Sequence, residues 1–566
     1  MNTKLNTEFD AIVVGSGMTG GMAAKELCER GLKTLVLDRG VAFEHGTSFV
    51  TEHKRPFELP RHGRVPKEEL NDVYSTQGKV YLFDEATKHL FVKDNEQPYI
   101  QEKPYDWIRA NQVGGRSLMW ARQTYRWGPQ DFTANQVDGH GVDWPIRYDD
   151  IAPWYDYVEG FVGISGRAEG LRHLPDGQFL PPMEMTAVEK NAKMAIEAAF
   201  ENRRMTIGRC AVLTQELNGR APCHYCGECE RGCSTRSFFS AVSVSLPAAA
   251  ATGNMTLRPN SIVESILYDA KTNRASGVRV IDSVTHEVTE YRSKLLFMCA
   301  SCLGTTQIML NSKSAEFPEG IANGSGALGH YLGDHHMGID ASGFTDAFDD
   351  RYYSGSRPNG IYIPRFRNLD AASRRSDYVR GFAYQGSSWR AGAERGAVQE
   401  GIGIDFKNKL RDPGPWEMQL WGYGETLPNY DNHCRLSPTA VDQWGIPQLI
   451  VSAGWGDNEL AMRKDCAECA QEMMEAAGFR DISVNDNLED NPQGLAIHEM
   501  GTARMGRDPQ TSVLNAFNQA HEVPNLFVTD GACMTSTAVQ NPSITYMALT
   551  ARAVDYAVKE MASGNI

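Results

Sequence analysis

No apolar run of 18 residues occurs anywhere in these 566 residues, so nothing in the chain reads as a membrane-spanning helix. Basic residues are in deficit, 56 Lys and Arg against 71 Asp and Glu. The net charge of −15 excludes the basic footprint that nucleic acid demands. It does not hinder a neutral substrate such as a sugar, and it suits a basic redox partner or plain solubility equally well. Internal repeats and low-complexity tracts are absent as well. The opening segment, Met1 to Asp10, lacks the apolar stretch of a signal peptide and leads straight into a strand. A cytoplasmic protein is therefore expected, with export alongside a signal-bearing partner subunit left open. At this length one core is not enough, and two or more domains are expected. With 22% charged and 41% hydrophobic residues, those domains have the balance of a soluble globular protein.

What the chain does have is twelve cysteines. Twelve would suit a disulfide scaffold only in a much smaller secreted domain, so reduced thiols and a metal cluster are expected. Four of them fall in Cys223-His-Tyr-Cys226-Gly-Glu-Cys229-Glu-Arg-Gly-Cys233. This C-x2-C-x2-C-x3-C spacing is that of iron–sulfur ligands in bacterial ferredoxins, and Gly227 and Gly232 permit the turns. The proline that follows the ferredoxin run is replaced by Ser234. A four-thiolate zinc site is the alternative, disfavoured because such sites come as two separated C-x2-C knuckles. Two further pairs, Cys299/Cys302 and Cys466/Cys469, read as buried core thiols, as do Cys28, Cys210, Cys434 and Cys533.

A short apolar strand, Asp10-Ala-Ile-Val-Val-Gly15, feeds Gly15-Ser-Gly17-Met-Thr-Gly20, then a helical pattern and a second strand ending at Asp38. This is the βαβ setting that a G-x-G-x-x-G motif requires. Gly15 makes the turn, Gly17 admits a pyrophosphate, Gly20 packs helix on strand, and Asp38 faces an adenosine ribose. Residues about 48–105 are mixed and loop-like. Gly114-Gly115, followed by Met119-Trp120, suits close approach of a flat cofactor. A helix is expected around 186–203. A β-rich stretch runs from Met255 to Met298 with a break at Asn273–Gly277, and its Val263 is counted with the cofactor-binding residues. Residues about 340–450 alternate as in an antiparallel sheet. Two blocks close the chain. One is His498-Glu-Met-Gly-Thr-Ala-Arg-Met-Gly506. The other combines Asn525-Leu-Phe-Val-Thr-Asp530-Gly531, a strand whose closing Asp530 and Gly531 are expected beside the cofactor, with Asn541-Pro542-Ser543, which starts a helix.

In this order, the dinucleotide motif, the Gly-Gly segment, an Asp143-Trp-Pro…Tyr148…Pro153-Trp-Tyr155 segment and the two terminal blocks resemble the glucose–methanol–choline (GMC) oxidoreductases. The resemblance implies an α/β fold: a Rossmann-type FAD-binding domain with a second α+β substrate domain on an antiparallel sheet. The expected FAD-binding domain takes residues 1–160, 235–335 and 498–566. An iron–sulfur segment takes 205–234, and the substrate domain takes 161–204 and 336–497. His498 falls on the family's general base toward the substrate hydroxyl, and Asn541 on its second active-site position. A neutral imidazole suits that proton transfer, and an amide holds the same oxygen without competing for the proton. The other thirteen histidines, the His335-His336 pair included, are read as structural.

Met119 stands where pyranose-oxidising relatives carry a flavin-linked His, so the FAD is expected to be non-covalent. The cysteine run resembles that of bacterial sugar dehydrogenase flavoproteins. In these, three cysteines matching Cys223, Cys229 and Cys233 hold a three-iron cluster. The presence of Cys226 leaves 4Fe–4S and 3Fe–4S both open. The implied enzyme oxidises a pyranose or glycoside hydroxyl, with C3 of glucosides preferred. Its electrons would pass through the cluster to a cytochrome c or quinone, with a small partner subunit. Glucose, fructose or gluconate dehydrogenase and an oxygen-using sugar oxidase are the alternatives.

Overall fold

The computed structural model describes residues 7–352, 355–392, 395–396, 400–488 and 490–566. The expectation for Met1–Asn6 lies outside them. The chain builds two main sheets. In the first, the strand Glu8–Val14 is buried from Ala11 onward, as an apolar strand covered on both faces must be. It pairs in parallel with Thr34–Leu37 on one side and Val288–Met298 on the other. Met255–Arg258 and Leu526–Val528 extend the parallel part. Ser261–Asp269 and Arg274–Asp282 add an antiparallel arm on the early half of Val288–Met298.

The register places the strand ends level. Val14 lies opposite Leu37 and Met298, Leu37 opposite Arg258, and Met298 opposite Val528. The chain therefore leaves the sheet at Gly15, Asp38, Cys299 and Thr529 along one carboxyl edge. In open parallel sheets that edge is where ligands bind. One core joins Val13, Val36, Phe297 and Phe527 to Leu27 of the helix Met18–Glu29 and Val554 of the helix Ser543–Ala562. Each such side chain contributes about 1.5–3 kcal/mol by leaving water.

The second sheet is antiparallel throughout, ordered Arg480–Asp486, His336–Thr345, Trp416–Gly424, Phe382–Arg390, Ile361–Ile363, Thr206–Ile207. Its central strand Trp416–Gly424 alternates cleanly between buried and half-buried positions. Trp416, Met418 and Leu420 join Phe382 and Tyr384 in a core with Met462, Cys466 and Met473 of the helix Asp457–Ala476. The alternate residues face the other way.

Three local expectations shift. Thr206–Ile207, expected within the cysteine segment, is the edge strand of this sheet. His433–Val441 and Pro447–Ser452 leave the large sheet and pair with each other and with Ile100–Gln101. The helix expected over 186–203 spans Ala187–Ala199. Its start is fixed by a capping box in which Thr186 and Glu189 satisfy each other's backbone amides. No helix among the described residues is long and apolar enough to cross a membrane.

Candidate functional site

A cavity of about 340 Å³ follows the carboxyl edge of the first sheet. Its walls run from Gly15 and Asp38, past Met119 and Val263, to His498 and Asn541. At the first end Gly15 adopts φ +96°, and a side chain there would strike the Cys299 carbonyl at 2.3 Å. Gly20 touches Gly15 so closely that an added Cβ would lie 1.9 Å from its carbonyl oxygen. Gly17, by contrast, caps the helix Met18–Glu29, and an added Cβ there would meet only the Gly114 carbonyl, at an ordinary 3.8 Å. That helix has no acid in its first turn, so its positive end faces the cavity uncompensated.

Asp38 turns out to be a brace. One oxygen accepts from the Ser16 amide at 3.0 Å and the Ser16 hydroxyl at 2.5 Å, and the other from the Gly40 amide at 2.8 Å. Burial raises its pKa, with these bonds opposing. Its carboxylate still lines the cavity. The Gly114 amide donates to the Ser16 hydroxyl, and Gly115 packs on Gly17, so the Gly-Gly turn is seated on the phosphate turn. Gly20 and Gly114 act from behind this wall, whereas Gly115, Met119 and Val263 line it. An open glycine at a helix start, a braced acid and a flat apolar wall fit a bound dinucleotide.

At the far end Asp530 accepts from the Ala532 amide and the Thr305 hydroxyl, and burial pushes its pKa up to about 6. A side chain at Gly531 would lie 2.2 Å from the Glu499 carbonyl, so this glycine lets the two terminal blocks touch. His498 sits on the touching segment. Its amide donates to Asp334 Oδ1 at 3.0 Å, and the Gly494 amide donates to Asp334 Oδ2 at 2.8 Å. The preceding Ile497 is held at φ +63°. A β-branched residue in that region stores strain of about 1–3 kcal/mol, which the surrounding bonds hold in place.

The ring of His498 is part of a directional chain. His335 Nε2 lies 3.0 Å from the Thr537 carbonyl, which can only accept, so that nitrogen carries the hydrogen. Burial pushes the pKa of His335 down to about 4, so the ring is neutral and its Nδ1 is an acceptor. His498 Nδ1, 3.0 Å away, must therefore donate to it. That leaves a bare lone pair on His498 Nε2, facing the Asn541 amide at 3.3 Å. Burial, then His335 and Arg116, hold the His498 pKa well below the ordinary histidine value. The arrangement can take a proton at Nε2 and share the resulting charge with His335.

His335 thus corrects the expectation that it is merely structural. Its signal was present in the Leu332-Gly-Asp334-His335 segment, but only tertiary contact reveals its partner. His336 keeps the structural role, buried beside Met462 Sδ at 3.2 Å. Gln385 was also missed. Its Nε2 donates to Asn541 Oδ1 at 2.7 Å from the antiparallel sheet.

The cysteine run is arranged differently. Cys226 is exposed, Cys229 buried, and Cys223 and Cys233 half-buried. The amides of Tyr225 and Phe238 donate to Cys223 Sγ at 3.3 Å and Cys233 Sγ at 3.4 Å. Tyr225 (φ +59°), Gly227 and Gly232 bend the backbone around the sulfurs. Arg122 lies beside Cys229 and Cys210, and Trp120 of the cavity wall packs on a small core of Met183, Cys210, Val212 and Phe238, on which Cys223 and Cys233 also pack. The expected cluster ligands are nonetheless not assembled. Among the described residues no group of three or more His, Cys, Asp or Glu side chains is gathered to hold a metal ion. Burial pushes the Cys223 thiol up and that of Cys229 up to about 12. Thiols are soft donors of the kind that iron takes, and two of the four, Cys223 and Cys233, receive an amide bond at sulfur.

Comparison with known proteins supplies independent findings. Two family models, both described as GMC oxidoreductase, match residues 9–337 and 428–550. A 2-methyl-1,2-propanediol dehydrogenase of Mycolicibacterium austroafricanum is 29% identical over 561 residues, covering 97% of this chain and 95% of that protein. The fructose dehydrogenase large subunit of Gluconobacter japonicus is 26% identical over 572 residues, covering 98% of each chain. Among solved structures, pyridoxine 4-oxidase from Mesorbium loti superimposes with a TM-score of 0.58 at 15% identity, covering 97% of this chain and 99% of that one. That likeness speaks to the fold alone.

Proposed function

The chain belongs to the GMC oxidoreductase family, a flavoenzyme acting on alcohol- or sugar-type CH–OH donors, and on that premise we propose that it is a sugar dehydrogenase. The substrate we infer is a pyranose or glycoside, with C3 of glucosides favoured. The observation that carries the reading is the lone pair of His498 Nε2 held beside the Asn541 amide at the end of the dinucleotide cavity. A substrate hydroxyl entering between them donates to Nε2 and accepts from Asn541 Nδ2. As the O–H bond breaks, the proton forms a new N–H bond on His498, and His335 shares the positive charge. The carbinol hydrogen leaves with its electron pair, and the carbonyl double bond forms.

FAD, held non-covalently by the glycine turns, Asp38 and the wall at Met119 and Val263, supplies the two-electron acceptor. Asn541 keeps a donor on the oxygen while negative charge develops there. We further propose that Cys223, Cys229 and Cys233, with or without Cys226, hold an iron–sulfur cluster, which would supply one-electron transfer toward a cytochrome c or quinone. The thiol spacing, the amide bonds to Cys223 and Cys233, and the small core that these two share with Trp120 of the cavity wall support this. The resemblance to a large subunit supports a smaller partner chain.

An anaerobic titration of the purified protein with a panel of glucosides tests the reading. Bleaching of the flavin band by a glucoside, with electrons delivered to a dye acceptor, is the expected result. Peroxide formation in air without dye reduction would make the protein an oxidase instead. Iron and acid-labile sulfide analysis of anaerobically prepared protein tests the cluster separately.

A further inference from the structure

We propose that Gln385 is a positioning residue for hydroxyl oxidation, one that fixes which edge of the Asn541 amide faces His498. The inference rests on the functional reading above but stands on the hydrogen-bond chain itself. An asparagine amide is nearly symmetric in shape, and either its oxygen or its NH2 group can face a given neighbour. Only one orientation serves the reaction. With NH2 toward the site, Asn541 donates to the substrate oxygen as it gains negative charge. With the oxygen toward the site, it repels that charge and competes for the very proton that His498 must take.

The polarity is set from one end and locked at the other. The Thr537 carbonyl cannot donate, which makes His335 Nε2 the donor and leaves its Nδ1 as acceptor. His498 then donates from Nδ1, so its Nε2 needs a donor opposite, which is Asn541 Nδ2 at 3.3 Å. Asn541 Oδ1 consequently faces away from His498, and Gln385 Nε2 donates to it at 2.7 Å. Five groups from four separate segments thus form a one-way chain, Gln385 to Asn541 to His498 to His335 to Thr537. Gln385 is buried and lines the cavity, so water does not readily take its place. It is also the one member supplied by the antiparallel sheet, where it lies opposite Trp421. The antiparallel sheet therefore locks, at the Asn541 end, the polarity that the Thr537 carbonyl sets at the other.

A substitution that reverses the donor tests this. Gln385→Glu presents a carboxylate, which accepts only and pulls the Asn541 NH2 toward itself. Asn541 Oδ1 then turns to His498 and stabilises its protonated form. Of the two forms of imidazole, only the neutral one reacts with diethyl pyrocarbonate, so its rate of modification of His498 against pH, followed by peptide mass analysis of the holoenzyme, reads this without substrate. Gln385→Glu is expected to move the His498 profile upward by about one pH unit or more, the size of shift that one hydrogen bond to the charged form brings. Adding Asn541→Leu is expected to remove most of that movement. An unmoved profile, or the same movement with and without Asn541, overturns the proposal.

Kinetics supply a second arm. Gln385→Leu is expected to slow flavin reduction about tenfold with little change in KM, the usual cost of losing a supporting hydrogen bond to an active-site group. In an Asn541→Leu background the same substitution is expected to do nothing more, and independent, additive losses would overturn the proposal. Should no alcohol or sugar reduce the wild-type flavin, the sugar dehydrogenase reading fails, and the modification profile still decides the role of Gln385.

Discussion

The two chemical ends of this protein are organised in opposite ways. Around His498 every ring nitrogen and amide edge has a directional partner, and the direction traces to a single carbonyl at Thr537. Around Cys223–Cys233 the sulfurs receive isolated amide bonds, one thiol is exposed, and no ligand set is gathered. Trp120 lines the cavity and packs on the same small core as Cys223 and Cys233. The difference is one of what supplies the bonds. Neutral hydrogen-bonding groups can complete one another within the chain, whereas a thiolate site receives most of its cohesion from the metal it binds.

The sharpest way to break this comparison is at the base. His498→Ala is expected to slow flavin reduction by about 10² to 10⁴, the contribution of a positioned general base, with FAD retained. Stopped-flow reduction by the best glucoside checks it, and near-normal rates would remove His498 from the mechanism. The next effect is thermodynamic. His335 falls from the ordinary 6.5 to about 4 in the folded protein, so the unfolded chain binds more protons between those values. Stability present above pH 6.5 is therefore lost as the pH falls toward 4, by on the order of 3 kcal/mol from this group. Chemical denaturation across that window, compared with His335→Asn, should show the acid limb flatten in the variant.

A smaller effect is expected at the phosphate turn. Gly20→Ala forces a methyl against the Gly15 carbonyl, and overpacking of this kind costs about 1–3 kcal/mol. Weaker FAD retention on gel filtration would accompany the lowered melting temperature. The smallest effect sharpens the contrast at the cysteine run. Cys226 is exposed, so Cys226→Ser is expected to change the stability of the iron-free protein by less than about 0.5 kcal/mol. Iron per flavin in the same variant then reports whether this thiol is a ligand.

The parallel sheet and its cofactor edge were readable because their signals are local. Strand, glycine turn, helix and acid follow one another within Asp10–Asp38, and the register of the neighbouring strands brings distant segments to the same edge. His498 and Asn541 were readable as motif residues, though nothing in the string says that 3.3 Å separates them. The relation between His335 and His498 was not legible, because they are 163 positions apart and a lone histidine is usually structural. Gln385 was hidden for a related reason. In an alternating strand it looks like any other polar position, and its role depends on which face meets the cavity. Asp38 was found as a cofactor residue, but its service as a brace for Ser16 and Gly40 required the folded turn.

The alternation of the antiparallel sheet divides its sequence between two masters. Phe382 and Tyr384, with Trp416, Met418 and Leu420, belong to the core against the long helix, and a change there is felt as stability. Gln385 and Tyr423, on the intervening positions, belong to the cavity. Selection for a new substrate can therefore act on cavity-facing positions such as Tyr423 while the core positions keep the sheet folded. A lineage descended from this protein could change its diet without first having to survive a weakened scaffold.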